Sequence, residues 1–491
     1  MCPWWPIRRC SRGDASSIRR PGRPTAAWRV NGRRSRRPSI IWNERAVPTT
    51  IDLRRYHRAV GEISLVRPEG RVVQVVGLAI EVEGLDVEIG EICHVFPSHG
   101  DKYVSAEVVG FKNQRLLMMP FADMHGVYPG APVRSGGRRF AVPVGQELLG
   151  RVVDGLARPI DGKGPLGCRR QYLLTNPSPD PLRRTRISET LETGVRAIDG
   201  LITCGKGQRL GIFAASGVGK STLMGMIARN GRSDVSVIAL IGERGREVQE
   251  FIERDLGEEG LKRSVIVVST SDQPALLRLK GAWVATAIAE YFRDQGLDVT
   301  FMMDSVTRFA MAQREIGLTV GEPPATRGYT PSVFALLPRL MERTGTSDRG
   351  TITGFYTVLM EGDDMNEPVT DTCRSILDGH IFLSRELASA NHYPAIDVLN
   401  SISRLMSTVA NASHQSDAGR LRSHLAVYRQ SKDLVDTGAY MPGSDPRIDE
   451  ALSLMPAINA FLRQSADEQS SLDGSVHQLH EIMSTKHGSN A

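Results

Sequence analysis

From Gly70 onward, apolar and polar positions alternate with a period of two. Arg71–Val76, Ala79–Glu83, Glu91–Phe96, Ser105–Val109 and Leu116–Met119 read as short strands separated by Gly, Asp or Pro turns. Together they predict a small all-β barrel over residues 65–135. Pro177, Pro179 and Pro181 interrupt the next stretch, so 136–190 reads as a linker without long regular elements. Over 191–412 the pattern changes. Continuous apolar runs, Val235–Ile241, Val265–Ser269, Val299–Met303 and Ile352–Met360, alternate with helical stretches such as Arg246–Leu256 and Leu276–Arg293. Runs of that kind are buried on both faces, which predicts a parallel sheet covered by helices. Beyond it, Ala451, Leu454, Met455, Ile458, Phe461 and Leu462 recur at helical spacing. Residues 413–491 are therefore expected to form a helical domain, frayed after about Gln469. The fold class is α/β, with a small barrel before the sheet and helices after it.

Composition changes this picture in one place. The 491 residues are too many for a single core, and their 41% apolar and 24% charged content is that of a soluble globular protein. No uninterrupted apolar stretch is long enough for a membrane span. Cys2, Cys10, Cys93, Cys168, Cys204 and Cys373 are scattered without a C-x-x-C, which argues against a disulfide framework or a zinc site. The net charge of +6 is local: residues 1–50 carry twelve Arg against two acids, and the rest of the chain is slightly acidic. That weakens any nucleic-acid argument drawn from overall charge. The barrel also lacks the interleaved aromatics that stack bases, which favours packing or oligomerisation for it. Residues 1–60 read as a disordered Arg-rich extension, although Trp4, Trp5, Trp28 and Trp42 lie within it. A flexible tail, an unused upstream start and an organelle transit peptide all fit it, and an arm for anionic membrane or nucleic acid fits less well.

The chemistry centres on Leu210–Arg229. An apolar strand end is followed by Ala214–Ala215–Ser216–Gly217–Val218–Gly219 and then by Lys220–Ser221–Thr222 at the start of a helical pattern. Backbone N–H groups of such a loop cradle phosphates, the lysine reaches the outer ones and the next hydroxyl binds Mg²⁺. The full pattern asks for Gly where Ala214 stands. A glycine turn beside an unrelated lysine is the plain alternative, and the strand-to-helix setting speaks against it. Asp304 closes an apolar strand, where a carboxylate can hold Mg²⁺ directly or through water. Glu243 follows the strand Val235–Ile241 and can polarise the attacking water; otherwise it is an acid favoured at a helix start. Charge developing on a transferred phosphoryl group needs a cation, for which Arg244, Arg308, Arg374 and Arg404 are candidates, each with a surface ion pair as its ordinary role. Arg404 lies beyond the core strands, where it could reach a neighbouring subunit. Tyr393, ahead of Pro394, could stack on adenine or be an ordinary half-buried tyrosine.

These motifs occur together with longer ones. The chain carries GERGREV at 242–248, MDSVTRFAMAQREIGL at 303–318 and GEPPATRGYTPSVFALLPRL at 321–340. It also carries EGDDMNEPVTDTCRSILDGHIFLSREL at 361–387, NHYPAIDVLNSISRLM at 391–406 and YMPGSDPRIDEAL at 440–452. From about Gly70 to Gln464 the chain resembles the ATPases that energise type III protein export, relatives of the rotary ATP synthase catalytic subunit. The resemblance implies a RecA-like nucleotide-binding core and a Mg²⁺-dependent homohexamer. It implies a cytoplasmic enzyme peripheral to the bacterial inner membrane, meeting stalk, stator and gate proteins. There it would strip chaperones from effectors and help unfold them. It further implies Lys220 and Ser221 at the phosphates and Mg²⁺, Glu243 as catalytic carboxylate, Asp304 at Mg²⁺, Tyr393 at adenine and Arg404 as the finger. Glu247, with the three other arginines, is a supporting candidate. Ala215 departs from the family's second loop glycine, and the Arg-rich start has no family counterpart. DDMNEPV and NHYPAID look like the injectisome branch, while FAMAQREIGL is shared with flagellar export. The rotary catalytic subunit fits less well, because GERGREV and RSILDGH belong to the exporters. A hexameric RNA translocase would join similar domains and would be distinguished by RNA-stimulated hydrolysis.

Overall fold

The computed structural model describes residues 68–98, 102–360, 366–484 and the single residues Leu53 and Asp364. The expected disordered extension over 1–60 lies outside the described residues, apart from Leu53. The alternating stretch closes into a six-stranded barrel of β1 (Glu69–Val76), β2 (Ala79–Glu83), β3 (Glu91–Val95), β4 (Val104–Lys112), β5 (Arg115–Pro120) and β6 (Pro132–Arg139), in the order β1-β2-β5-β4-β3-β6. Its interior holds Val72, Ile80, Val82, Cys93, Val95, Val108, Met118 and Val133, the inward half of each alternation. The sixth strand carries the barrel to Arg139, past the expected boundary at 135. Its Ser135–Gly136–Gly137 centre hides the strand pattern. Gly136 is needed there, because a Cβ would sit 2.8 Å from the Ile92 carbonyl oxygen across the ladder.

The nucleotide-type core is one mixed sheet. Its path runs through β7 (Arg151–Asp154), β8 (Arg209–Ala214), β9 (Val235–Ile241), β10 (Ser264–Ser269), β11 (Asp298–Asp304), β12 (Thr351–Leu359), β13 (Gly379–Leu383) and β14 (Ile402–Ser403). The spatial order is β14-β13-β8-β12-β11-β9-β10-β7, parallel except where β14 meets β13. Every residue of β9 is buried, as its unbroken apolar run predicts. Val235, Val237, Ala239 and Ile241 face the layer containing the long helix Ala275–Asp294, and Ile238 and Leu240 face the layer containing Lys220–Asn230. The stretch expected to be only a linker supplies the edge strand β7, which pairs with β10. It is four residues long between Gly150 and an Asp turn, too short to show a period. Residues 245–262, predicted as one amphipathic helix over Arg246–Leu256, contain a π-helical turn at Phe251–Leu256. That wider turn brings the Asp255 carbonyl oxygen within 2.6 Å of where a Cβ on Gly225 would lie, so two helices pack closely across a glycine.

Three helices end the described chain: Ala412–Asp436, Pro446–Leu462 and Leu472–Ser484. The expected fraying after Gln469 does not hold over Leu472–Ser484, and residues 485–491 lie outside the described residues. Leu479 and Met483 are buried, and His480 Nδ1 lies 2.7 Å from Asp417 Oδ2 on the first of the three helices. Leu472, Val476, Leu479 and Met483 recur at helical spacing but are diluted by polar neighbours, so the stripe is hard to see. The helical part is tied to the core by Gln464, whose amide donates to the Gly194 carbonyl at 2.9 Å and accepts from the Arg196 N–H at 2.9 Å. Leu479→Ala is expected to cost about 2–5 kcal/mol, read as a lower denaturant midpoint. An unchanged midpoint would mean that the last helix contributes nothing to the packed structure.

Candidate active site

The phosphate-loop sequence stands at the carboxyl end of β8, a central strand. Residues after Ala214 leave the sheet, turn through Gly217 and Gly219, and enter the helix at Lys220. Gly217 has φ 82° and Gly219 φ 93°, left-handed conformations that side chains disfavour. Ala214, Ala215 and Val218 are buried, Ser216 is exposed, and Ser221 and Thr222 are half-buried in the helix's first turn. This is the arrangement in which loop N–H groups and a helix N-terminus face an anion.

Three strand ends converge on Lys220. Its ammonium contacts Asp304 Oδ1 at the end of β11, and Glu243 Oε1, just past β9, lies 3.5 Å away. Burial opposes the charge on Lys220, yet Asp304 and Glu243 together hold its pKa above the usual value. Asp304 is braced by Thr357, whose hydroxyl donates to the same Oδ1 at 2.7 Å from the intervening strand β12. Both contacts fall on Oδ1, so among the described residues Oδ2 is the oxygen available to meet a hard cation. Burial pushes the Glu243 carboxyl up to about 7, with Lys220 pulling it down and Asp304 adding to the rise. The neighbouring Glu247 raises it further, and Glu247 is itself held below its ordinary value by Glu243.

The remaining sequence candidates fall into two groups. Tyr393 stands beside the loop: a Cβ on Gly219 would lie 3.6 Å from its ring carbons. Arg308 crosses over Gly242, its Cβ and Cγ 2.7–2.9 Å from where a Cβ there would be, and its buried Nε has no hydrogen-bond partner among the described residues. Arg244 is exposed and 3.6 Å from Glu247. Arg374 and Arg404, by contrast, flank His380, whose pKa is lowered by burial and, less, by these two charges. Arg404 is exposed, and its N–H donates to the Asp378 carbonyl at 3.0 Å. Asp378 adjoins Arg209, the first residue of β8, with its Oδ2 accepting from the Arg209 N–H at 3.0 Å. The phosphate loop is at the other end of that strand, about 16 Å further along. Thr357 was missed from sequence; its signal is a hydroxyl near the end of a mostly apolar run, level with Asp304.

The comparisons with known proteins follow this division of the chain. Residues 72–137 match the beta-barrel domain of the ATP synthase alpha/beta family, and 194–403 match that family's nucleotide-binding domain. Residues 410–481 match the T3SS EscN ATPase C-terminal domain. The flagellum-specific ATP synthase of Bacillus subtilis is 55% identical over 84% of this chain and 94% of its own length. The type 3 secretion system ATPase of Xanthomonas euvesicatoria is 52% identical over 86% and 96%. Assembled ATPase EscN in complex with its central stalk EscO, from the enteropathogenic E. coli type III secretion system, superposes with a TM-score of 0.79. That structure is 44% identical, over 84% of this chain and 100% of that one. The chain belongs to the family of type 3 secretion ATPases and flagellum-specific ATP synthases.

The buried carboxyl makes stability depend on pH. Folding raises the Glu243 pKa from an ordinary 4.5 to about 7, so the folded state binds this proton more tightly than the unfolded chain. That advantage is complete below 4.5 and fades as the pH rises to about 7. Without nucleotide, Glu243→Gln should be more stable than the parent by about 3 kcal/mol at pH 8 and equal to it at pH 4. Denaturant titration at both pH values measures this, and an equal gain at both would exclude the buried-carboxylate explanation.

Proposed function

We propose, with that membership as the premise, that this chain is the ATPase of a type III protein export apparatus. It hydrolyses ATP and uses the energy to strip chaperones from export substrates and help unfold them. The observation that carries this reading is the buried meeting of Lys220, Asp304 and Glu243 beside the phosphate loop. Loop amides over 214–219 and Lys220 bind the outer phosphates, Lys220 exchanging carboxylate for phosphate as its partner. Ser221 and Asp304 Oδ2 supply hard oxygen donors suited to Mg²⁺, which when bound neutralises phosphate charge. Glu243 takes a proton from the attacking water, for which a pKa of about 7 is well matched. Tyr393 stacks on adenine beside Gly219. Glu247 tunes Glu243, Arg244 and Arg308 supply positive charge around the site, and Arg374 stands with Arg404 beside His380.

Arg404 acts on the neighbouring subunit's nucleotide. Its position at the far end of β8 from its own loop supports action across a boundary, in a homohexamer of the kind the family resemblance implies. The domain division is then 65–139 for the ring-forming barrel, 140–190 for the connection that also lends the core its edge strand β7, 191–412 for the ATPase core and 413–491 for the helical part that meets chaperone complexes. The enzyme works in the cytoplasm against the inner membrane, with stalk, stator and gate proteins as partners. Among the described residues no helix is long and apolar enough to cross a membrane. The match of 410–481 to an export-ATPase domain favours this reading over a rotary catalytic subunit. Flagellar export is the second reading, favoured by the 55% identity to a flagellum-specific relative.

Lys220→Ala should abolish turnover and weaken ATP binding, and Glu243→Gln should abolish turnover while keeping it. Arg404→Ala should bind ATP and lose about 10³–10⁵ in rate. Mixing Arg404→Ala with Lys220→Ala subunits should restore part of the activity, since some interfaces then pair an intact lysine with an intact finger. A flat rate across mixing ratios, with mixed rings confirmed, excludes action in trans. In the cell, loss of the gene should stop effector secretion and spare motility. The reverse result assigns the chain to flagellar export, and normal secretion together with normal motility would overturn the export function.

A further inference from the structure

Arg404 is exposed, so packing around its own side chain does not hold it in place. The residues beneath it do. Gln208, in the turn that leads into β8, has no exposed surface. Its Oε1 accepts from the Gly205 N–H at 2.9 Å. Its Nε2 donates to the Asp378 carbonyl at 3.2 Å and to Ser403 Oγ at 3.0 Å. The Asp378 carbonyl is the same atom that accepts from the Arg404 N–H, and Ser403 is the residue just before Arg404. Ser403 in turn donates its hydroxyl to the Thr203 carbonyl at 2.8 Å. One buried amide thus joins the residue before the finger, and the carbonyl that holds the finger's N–H, to the start of the strand that carries the phosphate loop.

We propose that Gln208 is a positioning residue for Arg404, fixing where the finger leaves one subunit and points toward the next. This rests on the reading of Arg404 as acting in trans. A buried amide with donors and acceptor all engaged fixes a backbone path more narrowly than apolar contact does, because any shift strands a polar group. Displacing a catalytic group by about 1 Å can cost on the order of 10²-fold in rate. Gln208 also sits close, in sequence, to its own subunit's loop, so the alternative is that it merely supports that loop.

The test uses the full chain. Gln208→Met keeps the shape of the side chain and removes its hydrogen bonds. It should lower kcat about 10²-fold and leave ATP affinity within about twofold. Ser403→Ala, a milder change, should lower kcat roughly tenfold and carries the same test if Gln208→Met folds poorly. Each variant is then mixed with Lys220→Ala subunits, beside the Arg404→Ala mixture as control. Recovery in both the test and control mixtures is the expected result. Recovery in the control alone, or a large loss of ATP affinity, places the damage in the variant's own site and overturns the proposal. If neither mixture recovers, action in trans is excluded and the positioning role falls with it.

Discussion

The site depends on a lysine ammonium taken out of water between two carboxylates. Removing a single charge from solvent costs several kcal/mol, so Lys220 can be buried only because Asp304 and Glu243 meet it. Those groups come from three different strand ends, and their meeting requires β8, β9 and β11 to stop at the same edge. The parallel sheet supplies that alignment, and Thr357 on β12 keeps Asp304 turned toward the lysine. The left-handed glycines let the loop fold back over this charge. Burial is the main reason Glu243 holds its proton so tightly, and Asp304 adds to it against the pull of Lys220. A phosphate arriving at Lys220 changes the balance for both acids at once, so binding and proton affinity are linked in this cluster.

Much of this was legible because strong local patterns carry it. The bounds of Val235–Ile241 come from an unbroken apolar run, and Asp304 stands out as the first acid after another. Less legible features depend on contacts distant in sequence. The strand Arg151–Asp154 exists because a sheet edge was free to pair with it. The barrel's sixth strand is held by its neighbours despite two glycines that weaken its own preference. The last helix is ordered by the residues against which Leu479 and Met483 pack, and its own polar composition points the other way. Thr357 and Gln208 are the sharpest cases. Each is a common polar residue whose meaning lies in partners far along the chain.

The barrel and helical ends are joined to the core by polar contacts as well as apolar ones. Lys280 on the long helix Ala275–Asp294 pairs with Glu107 on β4 at 2.7 Å, both largely buried. Arg196, at the start of the core, donates to the Phe461 carbonyl at 3.0 Å in the helical part. Motions of either end therefore reach the core through specific groups.

On the proposed action of Arg404 in trans, its separation from its own phosphate loop along β8 makes each subunit a directional unit, a donor at one end and an acceptor at the other. Head-to-tail contacts of this kind close into rings or run on as open strings. An isolated subunit then has no complete site, and an open string always leaves one terminal site without its donor. Only closure leaves none. Specific activity would thus rise with protein concentration, and whatever seeds or caps the ring sets the rate without touching any site. In the cell, free subunits would stay idle and burn little ATP until an assembly point gathers them, which ties fuel use to the place where it is needed.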